Sequence, residues 1–134
     1  MFTTNIREYR IKAVMHMFIA DAHCDTLYET AIKHTAREAT VITSKRLKRG
    51  GVCLQTLAMF AGSEGMKGAP YDAGKTMLSA ADELGIPIIR GSLPKGTWDD
   101  ARAILSIEGG EMLEGSLERL DEFARAGVRL IALT

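Results

Sequence analysis

The sequence predicts an α/β fold built on parallel strands, and three observations lead there. Short apolar runs alternate with helix-periodic segments in the order strand, helix, strand, helix, strand, helix, strand. Alternation of this kind means a parallel sheet with right-handed crossovers. The run Val52 to Phe60 is apolar on both alternating faces, with only Gln55 and Thr56 polar, as in strands buried on both sides of a sheet. The chain has 134 residues, which makes one domain at most and is too short for a closed (β/α)8 barrel of about 250 residues.

The elements follow in order. Met17 to Ala22 is a short apolar run and a strand candidate. Thr26 and Glu29 stand in the T-x-x-E spacing of a capping box, in which each side chain satisfies an open amide at a helix start. That helix continues through Leu27 and Ala31 to about His34. Residues 44–49 make a short helical turn closed by Gly50, and Val52 to Phe60 is the second strand. Residues 61–70 are rich in glycine and form a loop. Asp72 is positioned to cap a helix running to Leu84, with Met77, Ala80, Ala81 and Leu84 on one face. Gly85 and Pro87 stop it. Ala103 to Ile107 is the third strand. Leu117, Leu120, Phe123 and Ala124 form the apolar stripe of a further helix ended by Gly127, and Val128 to Leu133 is the fourth strand.

Composition narrows the function classes. The chain is 46% apolar and 25% charged, ordinary for a globular protein and unlike a disordered or collagen-like chain. Lysine plus arginine and aspartate plus glutamate stand at 17 each, whereas nucleic-acid binders usually carry a basic excess. The basic cluster Lys45, Arg46, Lys48 and Arg49 therefore reads as a solvated helix face. Cys24 and Cys53 make no disulfide framework and read as small buried hydrophobes. No run reaches the roughly 20 apolar residues of a membrane span. No clean secretory signal stands at the start, so a cytoplasmic protein is expected. Residues 1–16 precede the first strand and read as an N-terminal extension, leaving 17–134 as the domain.

Three residues carry the chemistry. His23 and Asp25 follow the first strand, and residues at i and i+2 of an extended segment point the same way. An imidazole and a carboxylate then converge, a sensible pair of ligands for a zinc-class ion. The alternative is a histidine held by an aspartate near a helix start. Glu108 ends the strand Ala-Ile-Leu-Ser-Ile and precedes Gly109 and Gly110. In α/β barrels the active site lies at that carboxyl end of the strands. A glutamate following an apolar strand is costly to bury unless paired or metal-bound. The alternative is a cap on the segment that follows.

At this point the chain resembles a known family. Asp-Ala-His-Cys-Asp-Thr-Leu (21–27), Arg-Gly-Gly-Val-Cys-Leu-Gln (49–55), Ser-Ile-Glu-Gly-Gly (106–110) and Gly-Val-Arg-Leu-Ile-Ala-Leu-Thr (127–134) look like successive motifs of the membrane, or renal, dipeptidases. The resemblance implies a zinc dipeptidase on a (β/α)8 barrel, of which this chain is the N-terminal part. It implies that His23 and Asp25 bind a first zinc and that Glu108 bridges two. Tyr28 lies where the family often has a pocket-lining aromatic that contacts substrate, with plain helix packing as the alternative. The family's second pair of zinc histidines and its catalytic aspartate follow the point where this chain stops. The resemblance thus implies at most one well-bound zinc, no catalytic residue beyond the metal ligands, and no activity alone. The expected partners are a small dipeptide in the full-length form and other copies of the chain, with no nucleic acid and no membrane span. Two rivals stand beside this reading: another amidohydrolase-like hydrolase, and a non-catalytic, self-associating half-barrel.

Overall fold

A computed structural model describes residues 17–61, 68–96 and 98–133, so the extension expected at 1–16 lies outside the described residues. β1 (Ile19–Asp21) is followed by α1 (Thr26–Ala31), a 3-10 turn at Arg37–Ala39 and α2 (Ser44–Gly50). β2 (Val52–Phe60), α3 (Pro70–Glu83) and β3 (Arg102–Glu108) come next, then a 3-10 turn at Gly110–Leu113, α4 (Leu117–Ala126) and β4 (Val128–Ala132). The strands form one four-stranded sheet in the order β1-β2-β3-β4, and every neighbouring pair is parallel. The predicted α/β class and strand order are present.

Alternation sorts the sheet into two faces. Leu57 pairs with Leu105 and Met59 with Ile107 across β2 and β3. These side chains join Leu27, Met77, Ala81, Met112 and Phe123 in a single buried cluster, which is the helix-covered side. The opposite face carries Thr56, Ala58 and Phe60 beside Ile104, Ser106 and Glu108. Gly74 brings the covering helices close. A Cβ there would stand 2.8 Å from Phe123 Cζ and 3.1 Å from Met112 Sδ.

The local signals are partly revised. The Thr26–Glu29 capping box does not form: Asp25 is the N-cap residue of α1 and no side chain caps that end. Thr26 is buried, and the Glu29 carboxylate is turned to Lys33 at 2.8 Å. α1 ends at Ala31 rather than His34, which has a φ of 56°, a left-handed backbone that cannot continue a helix. α2 is closed by Gly51 at a φ of 70°, not by Gly50. Asp72 does not cap α3: Ala69 precedes it, Pro70 occupies the first turn, and Asp72 lies within the helix. Pro70 suits that place because its missing N–H would be unpaired there anyway. Leu117 starts the α4 stripe in sequence but is exposed, and Phe123 is the buried anchor. Cys24 and Cys53 are half-buried rather than core residues.

One element was not foreseen. After Gly85 the chain returns to the sheet, with Ile86 and Ile89 buried. The Ile89 N–H donates to the Ala103 carbonyl at 2.8 Å, and the Ala103 N–H to the Pro87 carbonyl at 2.9 Å. Ile88 thus makes a parallel bridge on β3, on the edge that β4 occupies further along. Among the described residues no helix is long and apolar enough to cross a membrane.

Candidate functional site

All four strands are parallel, so their carboxyl ends line one edge of the sheet. β1 stops at Asp21, yet its contact with β2 continues, because the Ala58 N–H donates to the Cys24 carbonyl at 2.9 Å. His23 and Asp25 are thereby held at the rim. The Asp21 carboxylate accepts the His23 backbone N–H at 3.1 Å, which fixes the bend between strand and helix. Asp25 then opens α1, with its carbonyl accepting the Glu29 N–H at 3.1 Å. An N-cap aspartate usually turns its carboxylate onto the helix amides. Here that carboxylate goes to His23.

Glu108 reaches the same place from β3. It is in register with Phe60 of β2 and Ala132 of β4. Gly109 turns the chain away at a φ of 84° while its N–H bonds the Ala132 carbonyl at 3.0 Å. A side chain at that position would collide with the Glu111 carboxylate.

The structure brings the three sequence-predicted residues together. His23 Nε2 lies 3.0 Å from Asp25 Oδ1, and His23 Nδ1 lies 2.8 Å from Glu108 Oε1. All three side chains are about half exposed, at 50%, 53% and 43%, so water reaches them and screens their interaction. The contacts have a chemical consequence. A neutral imidazole carries one N–H and can donate to only one carboxylate. The second contact calls for another proton or for a cation in its place. One imidazole nitrogen and two carboxylates suit a zinc-class ion in kind. In arrangement they form a hydrogen-bonded triad, with a different ring nitrogen facing each carboxylate. Among the described residues no group of three or more His, Cys, Asp or Glu side chains is arranged as a ready metal cage. A metal held by all three side chains would replace both hydrogen bonds.

Neighbouring groups frame the triad. The Tyr28 ring packs on Phe60 with centroids 4.9 Å apart, and Lys33 Nζ stands 5.1 Å from its centroid. Since Phe60 is the β2 neighbour of Glu108, Tyr28 belongs to the same edge of the sheet. Cys24 lies between His23 and Asp25 in sequence, but its Sγ turns to the Thr26 hydroxyl at 3.6 Å. Burial pushes the Cys24 thiol above its usual range, against the lowering effect of its Thr26 hydrogen bonds. Sequence reasoning missed the bracing role of Asp21. Its signal was present, because Asp21, His23 and Asp25 alternate.

No family model matches the chain, and no curated protein matches it in sequence. A solved structure does. The crystal structure of the dipeptidase AC, a metallopeptidase of family M19, has a similar fold. The TM-score is 0.63 over 87% of this chain, at 19% identity. The chain spans 42% of that protein's length. At this identity the likeness speaks for the fold.

Proposed function

We propose that this chain is the N-terminal half of a metal-dependent dipeptidase, with residues 17–134 supplying the first part of a (β/α)8 barrel. The observation that carries the reading is the meeting of His23, Asp25 and Glu108 at the carboxyl edge of a parallel sheet. These residues follow one strand and end another far from it in sequence, and barrel enzymes keep their chemistry at that edge. The fold shared with a metallopeptidase supports the same reading.

In this proposal His23, Asp25 and Glu108 hold zinc. A bound zinc would lower the pKa of a water and polarise a peptide carbonyl. The chain's own contribution is placement: Asp21 fixes the backbone of His23, the ends of β1 and β3 bring Asp25 and Glu108 to the same rim, and Gly109 turns the chain away from it. Tyr28, against Phe60, would line the wall for a small dipeptide. A catalytic zinc site uses three protein ligands and an open position, so one well-bound ion per chain is the ceiling here. The donors of a second site, and an acid for the leaving amine, would have to come from outside these residues.

The test is calorimetric titration of the 134-residue chain with zinc. We expect at most one ion per chain and its loss in His23→Ala, with circular dichroism confirming that the variant folds. Binding of two ions, or binding indifferent to His23→Ala, would sink the ligand assignment. Full retention of fold with no zinc uptake would favour the rival reading, in which the triad is only an ion-paired clasp. A dipeptide panel with added zinc separates activity from binding. Residues 1–134 are expected to be silent, since loss of a general acid alone costs about 10²–10⁴-fold in rate. Turnover that vanishes in Glu108→Gln would show that these residues suffice.

A further inference from the structure

The positive charges of this chain are not distributed evenly over its partners. Lys33 pairs with Glu29 and Lys48 with Asp100, each at 2.8 Å. Lys75, Arg90, Arg119 and Arg125 are matched by Glu122, Asp82, Glu114 and Asp121. Among the described residues Arg102 and Arg129 each stand alone without a carboxylate partner, over the Trp98 ring and on backbone carbonyls respectively, and one groove gathers four cations together. It lies between the Arg37–Ala39 turn, α2 and the end of α3, and has a volume of about 480 Å³. Arg37, Lys45, Arg46 and Arg49 line it, against the single carboxylate of Glu38. Glu38 comes no closer to Arg37 than 3.9 Å. Among the described residues the Lys45 and Arg49 side chains have neither a hydrogen bond nor an ion pair.

Two of these cations are positioned without being neutralised. The Arg46 guanidinium donates to the Thr40 carbonyl, and the Arg37 guanidinium to the Glu83 carbonyl at the end of α3. Thr40 is buried, and its hydroxyl lies 2.7 Å from the Arg37 carbonyl and 2.9 Å from the Ile42 carbonyl, with one proton to share between them. The segment from Arg37 to Thr43 is therefore tied to itself and to α3. A guanidinium tethered through a carbonyl keeps its full charge and spare N–H donors, while giving up less freedom when an anion arrives. The Thr43 side chain caps α2 by accepting the Arg46 N–H at 3.2 Å. The Ser44 hydroxyl is exposed at the groove.

We propose that this groove binds a small molecule carrying a diphosphate group. Four cations against one carboxylate leave a surplus that a single carboxylate ligand would not balance and a diphosphate would. Guanidinium forks match phosphate oxygens in pairs. The volume lies in the range of about 300–1,000 Å³ typical of small-ligand sites. A single bounded groove in a chain of zero net charge favours a small anion over a long polyanion, which needs an extended basic stripe. Arg49 precedes the start of β2, and α3 runs back from the carboxyl edge, so the groove opens toward the amino edge of the sheet. The inference does not rest on the dipeptidase reading.

The probe is inorganic pyrophosphate, titrated into the 134-residue chain and followed by calorimetry. One site is expected, weakening as salt rises because exposed charges are screened. The double variant Lys45→Gln/Arg49→Gln is expected to lose affinity about tenfold or more through two charge-assisted contacts. Lys48→Gln removes one positive charge from the same helix, but outside the groove, and is expected to change affinity less than about twofold. Circular dichroism checks that each variant is folded. No binding at about 10 mM pyrophosphate, or equal losses in the double variant and Lys48→Gln, would overturn the proposal. So would a short single-stranded oligonucleotide that binds more tightly than pyrophosphate and loses affinity in the same variant, since the surface would then be one for nucleic acid.

Discussion

Gly127 stands at the junction of α4 and β4 with a φ of 114°, and a Cβ there would lie 2.6 Å from Ile88 Cγ2 and 3.4 Å from the Ile89 carbonyl oxygen. Two separate costs therefore fall on any replacement: a backbone that L-residues avoid and a collision with the segment that bridges β3. Gly127→Ala is expected to lose about 2–4 kcal/mol, the sum of local strain and overpacking. Gly85 isolates the first of these. Its φ is 70°, but nothing lies within 4 Å of its Cβ position, so Gly85→Ala should lose only about 1–2 kcal/mol. Urea unfolding of the two variants measures the difference. Equal losses would mean that the packing against Ile88 is not as close as described. His23 shows the other side of residue-scale reasoning. Its ring has a carboxylate at each nitrogen, and a neutral imidazole has one N–H to share between them.

At the scale of elements, α3 and α4 are held together on the covered face of the sheet. Tyr71 of α3 donates its hydroxyl to Glu122 of α4 at 2.6 Å, and Lys75 pairs with the same carboxylate. The Lys75 and Tyr71 hydrogen bonds hold the Glu122 carboxyl below its usual range. That contribution is present above the ordinary carboxylate range and is lost as pH falls through the lowered value. The group is exposed, so the effect is small. Packing matters more. Glycine in mid-helix costs about 1 kcal/mol relative to alanine, so Gly74→Ala would stabilise α3 if space allowed. The space is filled by the Phe123 ring and Met112 Sδ, both fully buried. Overpacking of about 1–3 kcal/mol outweighs the helix gain, and Gly74→Ala is expected to be destabilising on thermal unfolding. A stabilised Gly74→Ala would mean that α3 stands further from α4 than this.

For the whole molecule, the two outer strands decide its behaviour. β1 and β4 each pair on one side within the sheet and carry exposed apolar residues next to their free edges. Phe18 is 55% exposed, Leu130 51% and Leu133 82%. Unpaired strand edges with apolar side chains are templates for further pairing. The chain is therefore expected to self-associate at concentrations of tens of micromolar, and a lysine on the edge, as in Leu130→Lys, should reduce it. Sedimentation velocity tests both. A clean monomer for the unaltered chain would count against open edges of this kind and would favour a self-sufficient small fold.

Much of this was legible in the sequence, and the reasons are physical. Periodicity is a property of consecutive residues, so the four strands and their parallel order could be read directly, and β2 has the predicted bounds, Val52–Phe60. Spacing placed His23 and Asp25 together, and a carboxylate after an apolar strand marked Glu108. Helix ends were less legible. A T-x-x-E pattern signals a cap only if no other group competes, and at α1 the Asp25 carboxylate is drawn away by a histidine on the rim. The exposure of Leu117 and the bridge at Ile88 depend on where neighbouring elements lie, and no local pattern carries that. The same holds for the groove. In sequence, Lys45, Arg46, Lys48 and Arg49 are one basic run. Only the fold assigns Lys48 to Asp100, turns the other three toward Arg37 across a gap of concave surface, and ties two arginines to carbonyls. The sequence by itself determined the class of the fold and which three side chains meet at its rim. The tertiary structure decided which charges are spent on partners and which remain open, because pairing is set by distances between residues far apart in the chain.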